Sequence, residues 1–145
     1  MKLSTRARYG TRALLDLARH EGERPVQLKE IAGRQDISLH YLEHIIAPLV
    51  GAGIVKSIRG ARGGLQLIRH PEDVKLGEVI QLLEGAITPV DCIGDPASCE
   101  RADLCVTRDI WCDVKKAIDA TLDAVTLQDL VDKQKRKEAP RKQKT

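Results

Sequence analysis

The spacing of apolar residues changes along this 145-residue chain, and that change constrains the fold more than any other feature. Apolar residues recur at helical spacing over roughly 4–20, around 28–33 and again after Ser38, which predicts three helices. Two short β-prone runs, 54–58 and 65–69, then flank a glycine-rich turn, which predicts a β-hairpin. Helical spacing returns after the hairpin. The pattern therefore predicts a mostly α protein with one small hairpin.

The order of these elements is that of a winged helix-turn-helix. Asp36 and Ile37 supply a tight turn, and Ser38 is a good N-cap for the third helix. In such a motif this helix enters the major groove of DNA, and the hairpin forms the wing. A helical stripe over about 108–125 holds more apolar side chains than one copy needs for its core. We therefore predict a winged helix-turn-helix plus a long C-terminal dimerisation helix that forms a homodimer.

Charge is distributed unevenly along the chain. Residues 1–70 hold 12 lysines and arginines against 6 aspartates and glutamates, a net +6. Residues 71–131 hold 5 against 13, a net −8, and residues 132–145 hold 7 against 2, a net +5. A basic first half is expected of a protein that binds a polyanion such as double-stranded DNA. The charge alone fits a merely solvated basic face equally well.

The sequence disfavours several other classes of protein. The polar, basic N-terminus has no apolar segment behind it that would make a signal peptide. The longest near-apolar run, 45–55, is interrupted by Pro48 and is too short to span a bilayer. We therefore expect a cytoplasmic protein without membrane association, whose cysteines stay reduced. The chain has no cofactor fingerprint and no nucleophile with a base and an orienting partner, so we expect neither enzymatic activity nor a small-molecule substrate.

The polar residues of the third helix and of the hairpin are the candidates for DNA contact. The helix face opposite the apolar stripe carries donors, acceptors and an aromatic ring but no lysine or arginine, which suits base edges better than phosphates. Glu43 fits beside DNA where it accepts from cytosine N4, although elsewhere it is an ordinary exposed glutamate. Arginines beside the hairpin glycines suit a narrow minor groove, while a plain solvated hairpin remains an alternative. The predicted contacts are Lys2, Arg6 and Arg8 with phosphates, Ser38, His40, Tyr41, Glu43 and His44 with bases, and Arg59, Gly60 and Arg62 in the minor groove.

Four cysteines occur late in the chain, at Cys92, Cys99, Cys105 and Cys112. Their spacing is wider than the pairs typical of structural zinc and does not match the ferredoxin patterns. Three thiols in one acidic loop suit an iron–sulfur cluster, because the iron core offsets the negative charge. On spacing alone, free cysteines in a loop are an equal interpretation.

Four segments carry a specific resemblance to a known family: residues 1–9, 37–43, 59–64 and 105–111. They resemble the IscR-like members of the Rrf family of winged-helix regulators, and the similarity extends to about Val131. The resemblance implies an iron–sulfur cluster on Cys92, Cys99 and Cys105, most often of the 2Fe-2S type, with 4Fe-4S left open. It implies repression of iron–sulfur biogenesis genes, and a role for Glu43 in choosing between classes of DNA site. A nitric-oxide or cysteine-metabolism regulator of the same family is the alternative, as is a DNA-binding protein with structural zinc or free thiols.

One departure from the family concerns the fourth cluster ligand. IscR-like proteins have a histidine three residues after the last loop cysteine, where this chain has Arg108. Some nitric-oxide-sensing relatives use an aspartate from the first helix of the other subunit, and Arg8 stands at that position. Cys112 lies seven residues, about 10 Å along a helix, beyond Cys105 and is better placed as a buried helix residue. The fourth ligand therefore stays open, with Cys112, Asp103, Asp109 and an exogenous thiol as candidates.

These observations divide the chain into four parts. We predict a DNA-binding domain over 1–84, a cluster-binding cysteine loop over 85–106, and the dimerisation helix with a short last helix over 107–131. The segment 132–145 is rich in lysine, arginine and glutamine and lacks an apolar period, so we predict a disordered basic tail.

Overall fold

The computed structural model of the protein describes residues 2–142, and side chains as far as Ala139. Within this part the chain forms seven α-helices and a two-stranded antiparallel hairpin, so the predicted fold class is confirmed. No helix in it is long and apolar enough to cross a bilayer. The helices are α1 (Thr5–Arg19), α2 (Leu28–Gln35), α3 (Leu39–Gly51), α4 (Leu76–Glu84), α5 (Asp91–Gly94), α6 (Val106–Asp123) and α7 (Leu127–Lys142), and the strands are β1 (Val55–Ile58) and β2 (Gly64–Leu67).

Helices α1, α2, α3 and α4 and the hairpin share one aliphatic core. The chain contains no phenylalanine, so leucine, isoleucine and valine fill the interior. The side chain of Ser4 caps α1 by accepting from the Ala7 amide at 3.1 Å, and the predicted first helix is confirmed. The largest fully buried side chains are Leu14, Leu17, Ile31, Leu42, Ile45, Leu49, Ile54, Val55, Val74 and Val79.

The hairpin lies against this core with one face buried. Val55 pairs with Leu67 and Ile58 with Gly64 across the two strands. Val26 forms an isolated bridge with Leu65, which adds an extended segment beside β2. Leu65 and Leu67 are buried. The two predicted strands are therefore present, each slightly shorter than the sequence pattern suggested.

The C-terminal part corrects one prediction. A short last helix followed by disorder from residue 132 was expected, whereas α7 continues to Lys142. Leu127 and Val131 are buried and anchor its first turns against the core. Beyond them, Arg19 of α1 forms a 2.6 Å ion pair with Glu138, and Gln134 donates to the same glutamate at 3.1 Å. Helix-favouring residues with two such contacts extend the helix past its last apolar residue. Residues 143–145 of the predicted tail lie outside the described part.

The long helix α6 is present at the predicted place, and it meets the core through half-buried Leu122 near its end. None of its residues is buried in the single chain. Just before and within its first turn, Leu104 is 94% and Val106 is 78% exposed. The preceding loop is less irregular than its composition predicts, because it contains α5 and two single 3-10 turns, Pro96–Ser98 and Ala102–Leu104.

Candidate DNA-binding surface and cysteine loop

The turn before α3 is built from local backbone interactions. Asp36 adopts a left-handed conformation with φ 53°, and the Ile37 amide donates to the Ala32 carbonyl at 3.0 Å. The Ser38 hydroxyl then accepts from the Tyr41 amide at 3.2 Å, which satisfies one of the free donors at the helix start. The structure confirms Ser38 as the N-cap. Its predicted contact with DNA stays a prediction.

The polar face of α3 points away from the core. Leu42, Ile45, Ile46 and Leu49 are buried, which confirms the predicted inward stripe. His40, Glu43 and His44 are exposed side by side, and Tyr41 is half-buried. The rings of His40 and His44 meet edge to face with their centroids 4.8 Å apart. The predicted base-reading residues of α3 therefore share one surface, and only Tyr41 is partly covered by the protein.

The wing turn between β1 and β2 presents Arg59, Gly60 and Arg62 to solvent. Gly60 has φ 109°, a conformation that other residues rarely adopt, and its carbonyl accepts from the Gly63 amide at 2.9 Å. A Cβ atom on Gly63 would overlap the Ile58 carbonyl oxygen. The glycines thus set a tight turn that projects two arginines from the fold.

The start of α1 carries the remaining predicted contacts. Lys2, Arg6 and Arg8 are all exposed, as phosphate contacts require. Ser4 holds this end of the helix to α4, because its amide donates to the Glu84 carboxylate at 3.0 Å and its hydroxyl also contacts that carboxylate. These three cations therefore extend from a fixed helix end.

The cysteines lie on separate pieces of the loop. Cys92 is on α5, exposed Cys99 follows the first 3-10 turn, and Cys105 is the N-cap residue of α6. Within residues 2–142, no three histidine, cysteine, aspartate or glutamate side chains come together as a metal site. As placed, the thiols do not fit a shared cluster, although three thiolates are a chemically suitable donor set.

Arg108 and Cys105 have specific contacts in this loop. The Arg108 Nε donates to the Cys92 carbonyl at 3.2 Å, and a guanidinium cannot ligate iron. The Cys105 Sγ lies 3.0 Å from the Thr107 hydroxyl. This hydrogen bond, together with the Arg108 amide, lowers the pKa of the Cys105 thiol and favours its thiolate.

The comparisons with known proteins assign the chain to a family. Residues 3–133 match the family model Rrf2, described as an iron-dependent transcriptional regulator. The chain belongs to the Rrf2 family. A relative named Rrf2 from Nitratidesulfovibrio vulgaris is 47% identical over 90% of this chain and 87% of its own. The predicted relationship is therefore confirmed, and the protein is a winged-helix transcription regulator that binds DNA.

Two solved structures resemble this Rrf2-family chain to the same degree. CymR of B. subtilis, described as the global cysteine regulator, matches this chain with a TM-score of 0.76 at 42% identity, over 91% of this chain and 97% of its own. IscR of T. potens has a TM-score of 0.75 at 44% identity, with coverages of 92% and 88%. The comparisons do not separate the two kinds of regulator.

The sequence reading missed a buried ionic network in this Rrf2-family protein. Asp16 of α1 is 3% exposed and accepts from Arg34 Nη2 at 2.6 Å and from Gln35 Nε2 at 2.8 Å. Burial raises the pKa of Asp16, but the hydrogen bonds from Arg34 and Gln35 outweigh it, so that the pKa is lowered overall. One sequence signal could have indicated this network: Asp16 lies on the same face of α1 as the apolar residues Ala13 and Leu17, so its carboxylate is buried and requires a partner.

A second set of missed contacts links α1 to α2 and α3. Arg12 Nη2 donates to the Gln35 carbonyl at 2.6 Å, and its guanidinium carbon lies 5.3 Å from the centroid of the Tyr9 ring. The Tyr9 and Tyr41 rings meet edge to face, with centroids 6.2 Å apart and an interplanar angle of 77°. The partial burial of Tyr41 therefore comes in part from a residue of α1.

Proposed function

We propose that the protein is a homodimeric regulator that reads a two-fold symmetric promoter site, with α3 in the major groove and the wing in the minor groove. The observation that carries this proposal is that His40, Glu43 and His44 are exposed next to one another on α3, whose start is capped by Ser38. Such a helix fits the major groove, where each base pair presents its own pattern of donors and acceptors. The proposed DNA-binding unit is residues 1–84.

The proposed contacts divide into three classes. Lys2, Arg6 and Arg8 bind phosphates and set the position of the domain on the duplex. Arg59 and Arg62 enter the minor groove, with Gly60 allowing the backbone to approach. The third class reads base edges, with Glu43 accepting from a cytosine amino group, and consists of Ser38, His40, Tyr41, Glu43 and His44.

The helix α6 is the proposed dimer interface. Its Val114, Ala117, Ile118 and Thr121 line one shallow apolar surface, and no residue of the helix is buried in the single chain. A second copy placed against this stripe covers it symmetrically. The two α3 helices of such a dimer then lie one DNA turn or a multiple of it apart.

DNA selected from a random duplex pool provides the test of this proposal. Affinity measured from low to high salt should fall log-linearly and steeply, because several phosphate contacts release counterions. Hydroxyl-radical footprinting should show two protected half-sites spaced by whole turns of the helix. A flat salt response, or a single protected half-site at saturation, would reject the groove-docking arrangement.

For the loop over 85–106, we propose that Cys92, Cys99 and Cys105 bind an iron–sulfur cluster of the 2Fe-2S type. Three thiols on one loop support this donor set, because thiolates are the usual ligands of such clusters. The thiols lie apart in the single chain, so the loop must rearrange to bring them together. A cluster held by these thiols would let the protein report iron–sulfur status, and the loaded protein would repress iron–sulfur biogenesis genes.

The second candidate is a cysteine-responsive regulator without a cluster. Two observations favour it: the dispersed thiols, and the Arg108 guanidinium bonded to the Cys92 carbonyl at the place of the expected fourth ligand. The similarity to the cysteine regulator CymR is as high as the similarity to IscR.

Metal analysis of anaerobically purified protein separates these candidates. Iron together with inorganic sulfide in the wild-type protein supports the cluster. Each of the single variants Cys92→Ala, Cys99→Ala and Cys105→Ala should then lose both, whereas Cys112→Ala should keep them. Protein that holds neither iron nor sulfide, while cysteine addition changes its promoter affinity, supports the second candidate. Zinc in place of iron would contradict both.

A further inference from the structure

We infer that Arg12 and Tyr9 are positioning residues for Tyr41, forming a relay that fixes this ring on α3 before DNA is bound. The inference deepens the proposed function and rests on it, because Tyr41 is one of the proposed base-contacting residues.

The relay begins at the buried carboxylate of α1. Gln35 Nε2 donates to Asp16 Oδ2 at 2.8 Å, which fixes the orientation of this amide at the end of α2. The amide oxygen of Gln35 then accepts from Arg12 Nε at 3.2 Å. The Gln35 carbonyl accepts from Arg12 Nη2 at 2.6 Å. Two donors of one planar guanidinium are thus bound to one residue, so the plane of Arg12 is defined although its side chain is exposed.

The second step transfers this order to an aromatic ring. The Arg12 guanidinium carbon lies 5.3 Å from the Tyr9 centroid, within the range of a cation–π contact. Arg8 also lies near the same ring, at 5.9 Å, but its donor contacts only Thr5 of its own helix, at 3.3 Å. Of these two arginines, only Arg12 joins the ring to the turn that precedes α3.

The last step joins Tyr9 to the recognition surface. The Tyr9–Tyr41 contact, with centroids 6.2 Å apart at 77°, is a favourable edge-to-face geometry. His40 and His44 are exposed on α3, and the ring contact that each makes is with the other, on the same helix. Among the ring contacts of residues 2–139, the one between Tyr9 and Tyr41 joins a proposed base-reading side chain to another element, which lowers the entropy that Tyr41 loses on binding.

Tyrosine NMR without DNA tests the positioning directly. The chain has two tyrosines, so ring-labelled tyrosine gives two sets of signals that single substitutions assign. Tyr9→Phe keeps the ring and should leave the Tyr41 signals unchanged. Tyr9→Leu removes the ring and should shift them, and Arg12→Met should shift them less. Tyr41 signals that coincide in wild type, Tyr9→Leu and Arg12→Met would overturn the inference.

A double-mutant cycle on selected operator DNA tests the consequence. Tyr9→Leu should weaken operator binding about three- to ten-fold, the range of one aromatic pair, while Tyr9→Phe stays within about two-fold. In the Tyr41→Ala background, Tyr9→Leu should have no further effect. Additive effects would overturn the relay, whereas an unchanged affinity in Tyr41→Ala would instead overturn the proposed base contact of Tyr41.

Two controls separate positioning from folding and from phosphate contact. Thermal melting identifies any general loss of stability in Tyr9→Leu, and non-specific duplex affinity at low salt should equal wild type. Arg12→Met lies at an exposed position and should weaken operator binding with an unchanged salt slope. Two results together would overturn the role of Arg12: a slope of log affinity against log salt concentration that is smaller by about one, and Tyr41 signals at their wild-type positions. They would show that Arg12 contacts a phosphate instead.

Discussion

The reading half and the cysteine half of this chain differ in how much structure one copy provides. In residues 2–84, α3 is capped by Ser38 and packed through a buried stripe, and the Asp16 network joins α1 to α2 just before it. In residues 85–123, α6 has no buried residue and Leu104 is 94% exposed. The cysteines there share no site.

The contrast between the two halves indicates where regulation can act. A recognition surface that is already ordered in one copy loses little conformational entropy when it binds DNA. A half that one copy leaves open is completed by something else, and we interpret a second copy and a loop ligand as its completing partners. The ligand bound by the loop and the contacts of α6 can then change the distance between the two α3 surfaces of a dimer.

The largest expected effect concerns the organised half. Asp16→Ala removes a buried acceptor and leaves Arg34 and Gln35 without their partner, so we expect a loss of about 3 kcal/mol in the free energy of unfolding. Chemical denaturation of Asp16→Ala measures this loss. Asp113→Ala, which changes an exposed aspartate of α6, is the control. Equal midpoints for the two variants would show that the network contributes nothing.

The same residue predicts a pH dependence. The folded pKa of Asp16 lies below its ordinary value of 3.8, so as the pH falls the unfolded chain takes up this proton first. Its contribution is present above that value and is lost as the pH falls through the folded pKa. Asp16→Asn should therefore have a flatter stability profile than wild type below about pH 5. Parallel profiles would contradict the assignment.

The next effect tests whether a second copy completes the open half. Ile118→Glu places a charge in the apolar stripe of α6, so the protein should sediment as a 16.0 kDa monomer. Operator affinity should fall about 100-fold, because the two half-sites are no longer bound together. Lys116→Ala, on the opposite side of the helix, is the control and should remain dimeric. A dimeric Ile118→Glu would place the interface elsewhere.

A smaller effect is expected at the cap of α3. Ser38→Ala loses the hydrogen bond to the Tyr41 amide and should cost about 1 kcal/mol of stability without DNA. Ser57→Ala, at an exposed strand position without such a bond, serves as the reference. If both variants melt together, the cap does not stabilise the helix start.

The smallest effect belongs to the cysteine loop. Arg108→Met removes the donor to the Cys92 carbonyl in a loop outside the core, so we expect a change below about 0.5 kcal/mol. The same denaturation measurement checks it. A loss as large as that of Asp16→Ala would show that the loop is as organised as the reading half, and the comparison between the halves would fail.

Local signals explain what could be predicted from the sequence. The cap at Ser38, the stripe from Leu42 to Leu49 and the glycine turn of the wing depend on neighbouring residues, and all three are present. The missed features depend on distant residues. The length of α7 depends in part on Arg19, more than one hundred residues away, and the relay joins α1 to α2 and α3. Apolar periodicity carries no information on such polar contacts.

The central claim is that α3 and the wing together read DNA. The most direct measurement is the affinity of the triple variant Tyr41→Ala, Glu43→Ala and Arg59→Ala for a selected operator and for a random duplex, beside Lys116→Ala. We expect operator affinity to fall at least about 100-fold, to near the level of random DNA, with Lys116→Ala unchanged. A folded triple variant that keeps the affinity and selectivity of wild type would contradict the account.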